Sequence, residues 1–455
     1  MVYWRKYSMT RKMKDSGVEW IGYMNTCWKT MPLKFILKER RQKNSPIITK
    51  ERLSLSIGVG VTLYSEKTTN LDRFKDDVTQ YKVAYPNDLV INSMNVIVGA
   101  EGISNYLGCV SPAYYVMYSS NPQKFITKYY DYCFKTSTIQ KALFYLGKGI
   151  MAIDRGEGRV NTCRLKVSSY DLGRLEFPVP SVNEQHRIVE FLDNRCNKID
   201  QTIQKEKQVI EKLKEYKQSV ITEAVTKGLN PNVKLKDSGV EWIGEIPEDW
   251  QCVKLKLKVN TTKGYAFKAD IFQEKGIPLV KASDIKNRTV VKSNVFIKSE
   301  FKELYSNVEL STNDILISTV GSTPEVINSA VGQIALVPKE LNKSLLNQNV
   351  VKIVPNDDVY YLYLFYFLST HSFRKYLDLI AHGTANQASL TLKDMLEYMI
   401  TLPTISKQKE IADYLDKKCS SIDKLISDKE KVIKKLTEYK KSLIYECVTG
   451  KKEVQ

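Results

Sequence analysis

A chain of 455 residues is too long for one ordinary core and predicts two to three domains. Apolar residues make up 43%, enough for sizeable cores, yet no run of about 20 of them could span a bilayer, and MVYWRKYSMTRKMKD at the start lacks the apolar centre of a secretory signal, so a cytoplasmic protein is expected. The net charge of +18 calls for a polyanionic partner, nucleic acid first, while three histidines and eight scattered cysteines, none in a CxxC pair, supply no cluster of metal ligands.

In chain order, the first distinctive segment is KDSGVEWIG, Lys14 to Gly22, which returns unchanged as Lys236 to Gly244. Trp28, Leu33 and Lys34 are likewise followed 222 positions later by Trp250, Leu255 and Lys256. Trp20 and Trp242, identical in both openings, are expected to pack each domain onto the base of a helix. Residues 30–182 contain strand-like runs at Asp88–Asn92 and Tyr114–Met117, punctuated by Gly, Asn, Ser and Pro, with a helical stretch at Lys135–Leu146.

From Pro180 the pattern becomes that of one long helix, with neither proline nor glycine until Gly228. Its apolar stripe runs through Ile188, Leu192, Ile199, Ile203, Ile210, Leu213, Val220 and Ala224, at spacings of three, four and seven. Residues 245–405 again read as mixed α/β, with strands at Asp314–Ser318 and Gln333–Val337, helix at Tyr360–Leu377, and Tyr360–Leu368 as a buried helix. A second long helix follows Pro403 and runs to Gly450, with its stripe at Ile411, Leu415, Ile422, Ile426, Ile433, Leu436, Leu443 and Cys447. Residues 180–226 align with 403–449 without a gap, at 21 identities in 47 positions. About 44 helical residues make a rod of roughly 65 Å, which cannot bury such a stripe alone, so each copy is the natural partner of the other.

The chain is therefore a tandem, pseudo-two-fold repeat of mixed α+β class. Two α/β domains, 1–182 and 230–405, alternate with two long helices, 183–229 and 406–455. The helical segments carry net charges of only +1 and +4, which leaves +13 for the rest. The helices resemble each other far more than the domains do, as expected when each domain reads something different.

Motifs for chemistry are missing. No GxxxxGK[ST] and no GxGxxG after a strand is present. Ser111-Pro112-Ala113-Tyr114 lacks the Asn or Asp, and the third-position Pro, of an adenine-methyltransferase tetrapeptide. His186 falls on the polar side of a helix, and His371 and His382 have no evident nucleophile beside them. No catalytic residue, no metal site and no cofactor on this chain are expected.

The paired openings, the Pro-x(4)-Gln-x(2)-Ile helix starts (Pro180, Gln185, Ile188; Pro403, Gln408, Ile411) and the helix bodies EKQVIEKLKEYKQSVITEAVTKG and DKEKVIKKLTEYKKSLIYECVTG resemble the specificity subunits of type I restriction–modification systems. DLVINSMN, GCVSPAYYV, GIPLVKASDI, DILIS and GTANQASLTLKDM are similar to family segments within the domains. Only Met1 to Met13 has no counterpart. The resemblance implies two target-recognition domains, each reading one half of a split double-stranded DNA site, on an antiparallel coiled coil that sets the distance between them. It implies partners, two methylation subunits with S-adenosylmethionine and adenine-N6 chemistry and restriction subunits with ATP, magnesium and the nuclease, around a chain that is not itself an enzyme. Two other roles fit the same residues: an orphan specificity chain serving another locus's methylation subunits, and a coiled-coil scaffold that binds only protein.

Sequence-independent affinity for DNA comes from basic surface, whereas specificity needs Arg or Lys for guanine and Asn or Gln for adenine at base edges. Polar loops beside strands supply the candidates: Lys67, Asn92, Ser93 and Asn95 in the first domain, and Lys263, Tyr265, Lys281, Ser283, Asn287, Arg288, Asn386 and Gln387 in the second.

Overall fold

The computed structural model describes residues 12–67, 77–150, 164–286, 288–291, 293–321, 331–384 and 387–454. They form two compact units, residues up to 206 together with 430–455, and residues 207–429. Each unit thus contains one mixed domain, one end of the first long helix and the opposite end of the second.

In the first unit the KDSGVEWIG segment is the loop of a hairpin, β1 (Met13–Asp15) against β2 (Tyr23–Asn25). Asp15 accepts the Gly17 N–H at 3.0 Å, and Gly17 has φ 69°, a left-handed conformation open to glycine at no steric cost. The turn thereby drives Trp20 and Ile21 into the core. β3 (Lys29–Pro32) pairs antiparallel with β8 (Glu176–Val179), so the chain returns to its own start before the long helix begins. Between them stands an antiparallel sheet in the order β4 (Leu37–Glu39), β7 (Tyr114–Ser119), β5 (Leu89–Asn92), β6 (Glu101–Ile103). Two helices follow, α1 (Thr127–Phe134) and α2 (Ser137–Leu146), the second capped by Thr136, which accepts the Ile139 N–H. The predicted helix at Lys135–Leu146 therefore starts two residues later, because Thr136 ends one helix and caps the next.

The second unit repeats this plan. β9 (Leu235–Asp237) and β10 (Glu245–Pro247) form the opening hairpin. β11 (Gln251–Lys254) pairs with β18 (Met399–Leu402), as β3 pairs with β8. The main sheet runs β12 (Val259–Lys263), β17 (Val350–Pro355), β15 (Ile315–Ser318), β16 (Ile334–Leu336), the same order as in the first unit. It then continues into a hairpin, β14 (Thr289–Val290) and β13 (Ile285–Lys286). α4 (Tyr361–Leu368) and α5 (His371–Ile380) correspond to α1 and α2. The stretch predicted as one helix over Tyr360–Leu377 is thus two, because Thr370 accepts the Phe373 N–H and starts a new one.

The long helices are α3 (Val182–Lys227) and α6 (Ile405–Val448). α3 begins with a reciprocal box: Ser181 Oγ accepts the Glu184 N–H at 3.3 Å and Glu184 Oε2 accepts the Ser181 N–H at 3.4 Å. Gly228 and Gly450, at φ 79° and 71°, end the helices in the left-handed conformation. A Cβ at Gly228 would lie 3.2 Å from the Trp250 ring, and one at Gly450 2.9 Å from Trp28, so the same glycine–tryptophan contact closes both helix ends.

Ile188, Leu192, Ile199, Ile210, Val220, Ile411, Leu415, Ile422 and Leu443 of the predicted stripe are buried, whereas Ile203, Leu213, Ile426, Ile433 and Leu436 are half-buried. In the first unit Ile188, Leu192, Cys196 and Ile199 join one core with Leu443, Ile444, Cys447 and Val448. There the two helices run antiparallel, since Cys196 and Cys447 share that core while Asp200, further along α3, meets Lys440, earlier on α6, at 2.6 Å. In the second unit Val220, Ile221, Ala224 and Val225 pack with Ile411, Ala412, Leu415 and Cys419, and Lys217 pairs with Asp423 at 2.5 Å. The stripe is wider than predicted: Cys196 and Cys419, both buried, belong to it, as do Ile221, Val225, Ile444 and Val448 near the ends, where each helix also faces its domain.

Candidate nucleic-acid interface

Each domain is held on its helices by the same set of side-chain clamps. Buried Gln185 of α3 accepts the Ile126 N–H at 2.8 Å and donates to Lys124 O and Pro180 O at 2.8 and 3.0 Å. Its counterpart Gln408 of α6 accepts the Tyr360 N–H at 2.7 Å and donates to Asp358 O and Pro403 O at 3.0 and 2.9 Å. Tyr132 donates to Asp193 at 2.7 Å, and Tyr366 donates to Asp416 at 3.4 Å. Tyr129 donates to Val448 O at the end of α6, while Tyr363 and Thr401 donate to Val225 O near the end of α3, at 2.8, 3.1 and 2.6 Å. The last carbonyls of a helix have no partner within it, and here the domain supplies one. These tyrosines form a repeat of their own, Tyr129, Tyr132 and Thr136 against Tyr363, Tyr366 and Thr370, with a spacing of 234 positions. Comparison of the domains at that offset, rather than at 222, reveals it.

The two tryptophans of the openings are not equivalent. Trp20 is 3% exposed, donates its indole N–H to Glu176 O at 2.9 Å and meets Phe177 edge-on. Trp242 is 43% exposed: it stacks on Tyr398 at 5.6 Å and lines a groove of about 890 Å³ together with Thr222, His371, Tyr376 and Leu379. Trp20 thus lies in the core of its unit, whereas Trp242 lies at the surface of its unit beside α3.

The predicted DNA-contacting residues fall into three groups. The first is turned inward. Asn92 is buried and accepts the Met94 N–H at 3.0 Å, and Ser93 is fully buried and donates to Ala113 O at 3.0 Å. Both hold the turn after β5, the ordinary use of short polar side chains at strand ends. Arg288 is half-buried and points toward the helices; burial pulls its guanidinium below the usual range, against the opposing charge of Asp423.

The second group reaches solvent. Asn95 and Lys67 are exposed in the first unit, in separate places, Asn95 in the turn after β5 and Lys67 at the end of the short helix Tyr64–Lys67. In the second unit Lys263, Tyr265 and Ser283 are exposed and Lys281 is half-exposed. These four converge on one segment. Tyr265 N–H donates to Leu346 O at 2.9 Å, Asn347 N–H donates to Val280 O at 3.0 Å, and a Cβ on Gly264 would lie 2.0 Å from Asn347 O. The loop after β12 and the loop after the strand Ile277–Val280 therefore flank Asn347 on either side. Exposed Gln348 follows it, and Tyr265 leans on Tyr305 at 4.8 Å. Asn347 and Gln348 were missed in the sequence, although the polar run Asn347-Gln348-Asn349 between two apolar strands marks them. The third group, Asn287, Asn386 and the Gln387 side chain, lies outside the described residues.

Among the described residues no three His, Cys, Asp or Glu side chains could hold a metal ion, and no helix is long and apolar enough to cross a membrane.

Two domains thus share one sheet order, are clamped alike to the ends of two long helices, and differ in their polar loops. The sequence profile described as the type I restriction modification DNA specificity domain matches twice, at residues 28–214 and 247–435, and the chain belongs to that family. The specificity subunit of the type I restriction enzyme MjaVIII of Methanocaldococcus jannaschii is 29% identical over 283 residues, 62% of this chain and 63% of that protein. That of EcoBI of Escherichia coli is 26% identical over 299 residues, 64% and 61% of the respective chains. The chain thus spans less than two thirds of the length of these relatives. A chain solved in work on complex assembly and conformational transition of the type I R-M system aligns with a TM-score of 0.68 at 14% identity, over 93% of this chain and 98% of that one, and has the same fold.

Proposed function

We propose that this chain is the DNA-specificity subunit of a type I restriction–modification complex. It reads a bipartite duplex target, one half-site per domain, and holds two methylation subunits and the restriction subunits around that target in the cytoplasm. It contributes recognition and framework but no chemistry; S-adenosylmethionine, ATP and magnesium belong to the partners. The observation that carries the reading is the duplication of the clamps under loops that differ. Gln185 and Gln408 hold their domains through the same three kinds of bond, while the exposed polar groups above them share no pattern. A duplicated mount with unlike readers suits a split, asymmetric site.

In the second domain the side chains around Asn347 fit direct readout. Lys263 and Lys281 suit guanine edges or phosphates, Asn347 and Gln348 suit adenine, and the Tyr265 ring suits an exposed base face or a thymine methyl. In the first domain Asn95 and Lys67 are the remaining candidates. The test is genome-wide mapping of modified adenines with and without this gene. Loss of one split motif on deletion is the expected result; an unchanged methylation map in a host whose methylation subunits are expressed would overturn the reading.

A further inference from the structure

Arg288, with φ 64°, lies between β13 and β14, whose residues Lys286 and Thr289 face each other. A non-glycine residue in this conformation is uncommon and persists where its surroundings hold it. This hairpin extends the second domain's sheet beyond β16, with Leu336 N–H donating to Arg288 O at 3.4 Å. Among the described residues, the sheet of the first domain ends at β6 and has no such extension.

The guanidinium turns away from solvent, toward the helices. Arg288 Nη2 donates to Ser369 O, just past the end of α4, at 3.4 Å. With the Gln218 amide oriented so that its oxygen faces the guanidinium, Arg288 donates to Gln218 of α3 at 2.7 Å and Gln218 donates to Ser369 O at 3.2 Å. Asp423 of α6 supplies the favourable field, and Asp423 also pairs with Lys217. One arginine from the recognition sheet therefore bonds α3 and the end of the clamp helix, within the field of Asp423 on α6. A planar fork with five donors suits such a junction, and a lysine would reach only part of it. The loop Lys281–Asp284 leads directly into this hairpin, and Val291 N–H donates back to Asp284 O at 2.8 Å.

We propose that Arg288 is a positioning residue that fastens the edge of the second recognition sheet to its helix pair. By fixing where the Lys281–Ser283 loop stands relative to the rod, it limits the half-site separations that the protein accepts. This rests on the DNA-specificity reading above. In this role Arg288 acts through the loop it holds rather than by touching DNA.

The test uses the full-length chain assembled with its methylation subunits, on duplexes carrying both half-sites of the mapped motif with the native spacer or spacers one or two base pairs shorter or longer. Arg288→Met is expected to reduce discrimination between native and altered spacers at least five-fold while leaving base preference within each half-site unchanged. Arg288→Lys should fall between wild type and Arg288→Met. Gln218→Ala, which removes the bridge and spares the cation, should give a smaller loss in the same direction and keeps the test open if Arg288→Met fails to assemble. Unchanged spacer discrimination in an assembled Arg288→Met complex overturns the proposal. So does an equal loss on every spacer with a salt slope lower by about 1, the signature of a lost phosphate contact. Failure of the underlying reading shows separately, as a wild-type complex that modifies no bipartite motif.

Discussion

Gln185 and Gln408 offer the sharpest test of how the domains are mounted. Gln408 is fully buried and makes three hydrogen bonds of 2.7, 3.0 and 2.9 Å, one accepted and two donated. Gln408→Leu keeps nearly the same volume, so little cavity forms and the change isolates the polar term. A typical net hydrogen bond contributes about 1 kcal/mol, and a buried group left without a partner costs about 1–3 kcal/mol. The Tyr360 N–H makes no other hydrogen bond among the described residues, whereas the Asp358 carbonyl is part-buried and can be rehydrated. The expected loss is therefore about 3 kcal/mol, a large share of the roughly 5–15 kcal/mol that holds most domains together. Gln185→Leu should cost about the same, because Gln185 makes the same three kinds of bond at 2.8, 2.8 and 3.0 Å. Urea unfolding gives the totals, and hydrogen exchange read by peptide assigns each loss to its unit. Gln408→Leu should release protection around Tyr360 and α4, Gln185→Leu around Ile126 and α1, and the double variant should show the sum to within about 0.5 kcal/mol. A loss below about 1 kcal/mol in either single variant, or exchange released in the wrong unit, would refute the clamp account.

Three further outcomes are expected. Burial, and then the neighbouring charge of Asp131, push the Glu101 carboxyl up to about 8, while the unfolded chain titrates near 4.5; stability from the protonated form is complete below that lower value and lost as pH rises to about 8. Glu101→Gln should therefore gain on wild type by roughly 1 kcal/mol per pH unit across that window in urea titrations, and a constant difference would exclude the shift. Gly264→Ala puts a Cβ 2.0 Å from Asn347 O, so a backbone shift costing about 1–3 kcal/mol should appear as a lowered Tm together with weaker reading of the second half-site; wild-type values for both would refute the close approach. Asp200→Asn and Asp423→Asn break the pairs with Lys440 and Lys217, in which the aspartates are 53% and 58% exposed, so each should cost no more than about 1 kcal/mol, less in high salt, and a loss above about 2 kcal/mol would show a coupling beyond simple ion pairing.

What the sequence determined by itself is what depends on near neighbours. The extent of α3 and α6 follows from the 3.6-residue period, from Pro180 and Pro403 at one end and from Gly228 and Gly450 at the other, and each of these signals acts within a few residues. The repeat, and with it the two-domain plan and the family, is legible because KDSGVEWIG and the helix bodies are matched over whole segments. Tertiary structure decided what those segments face. Cys196 and Cys419 read as scattered thiols, yet both are seam residues, because only the opposing helix shows which side is covered. Asn92 and Ser93 have the composition of a DNA-facing loop but complete a turn, since a short polar side chain bonds equally well to backbone and to a base edge. Trp20 and Trp242 stand in identical nonapeptides and differ in exposure, because their partners Phe177 and Tyr398 arrive from more than 150 positions away. The gathering of Lys263, Tyr265, Lys281 and Ser283 around Asn347, and the inward turn of Arg288, come from strand pairings and helix contacts between distant parts of the chain. Local propensity carries no information about such contacts; burial and the demand that every buried polar group find a partner settle them only when the chain closes on itself.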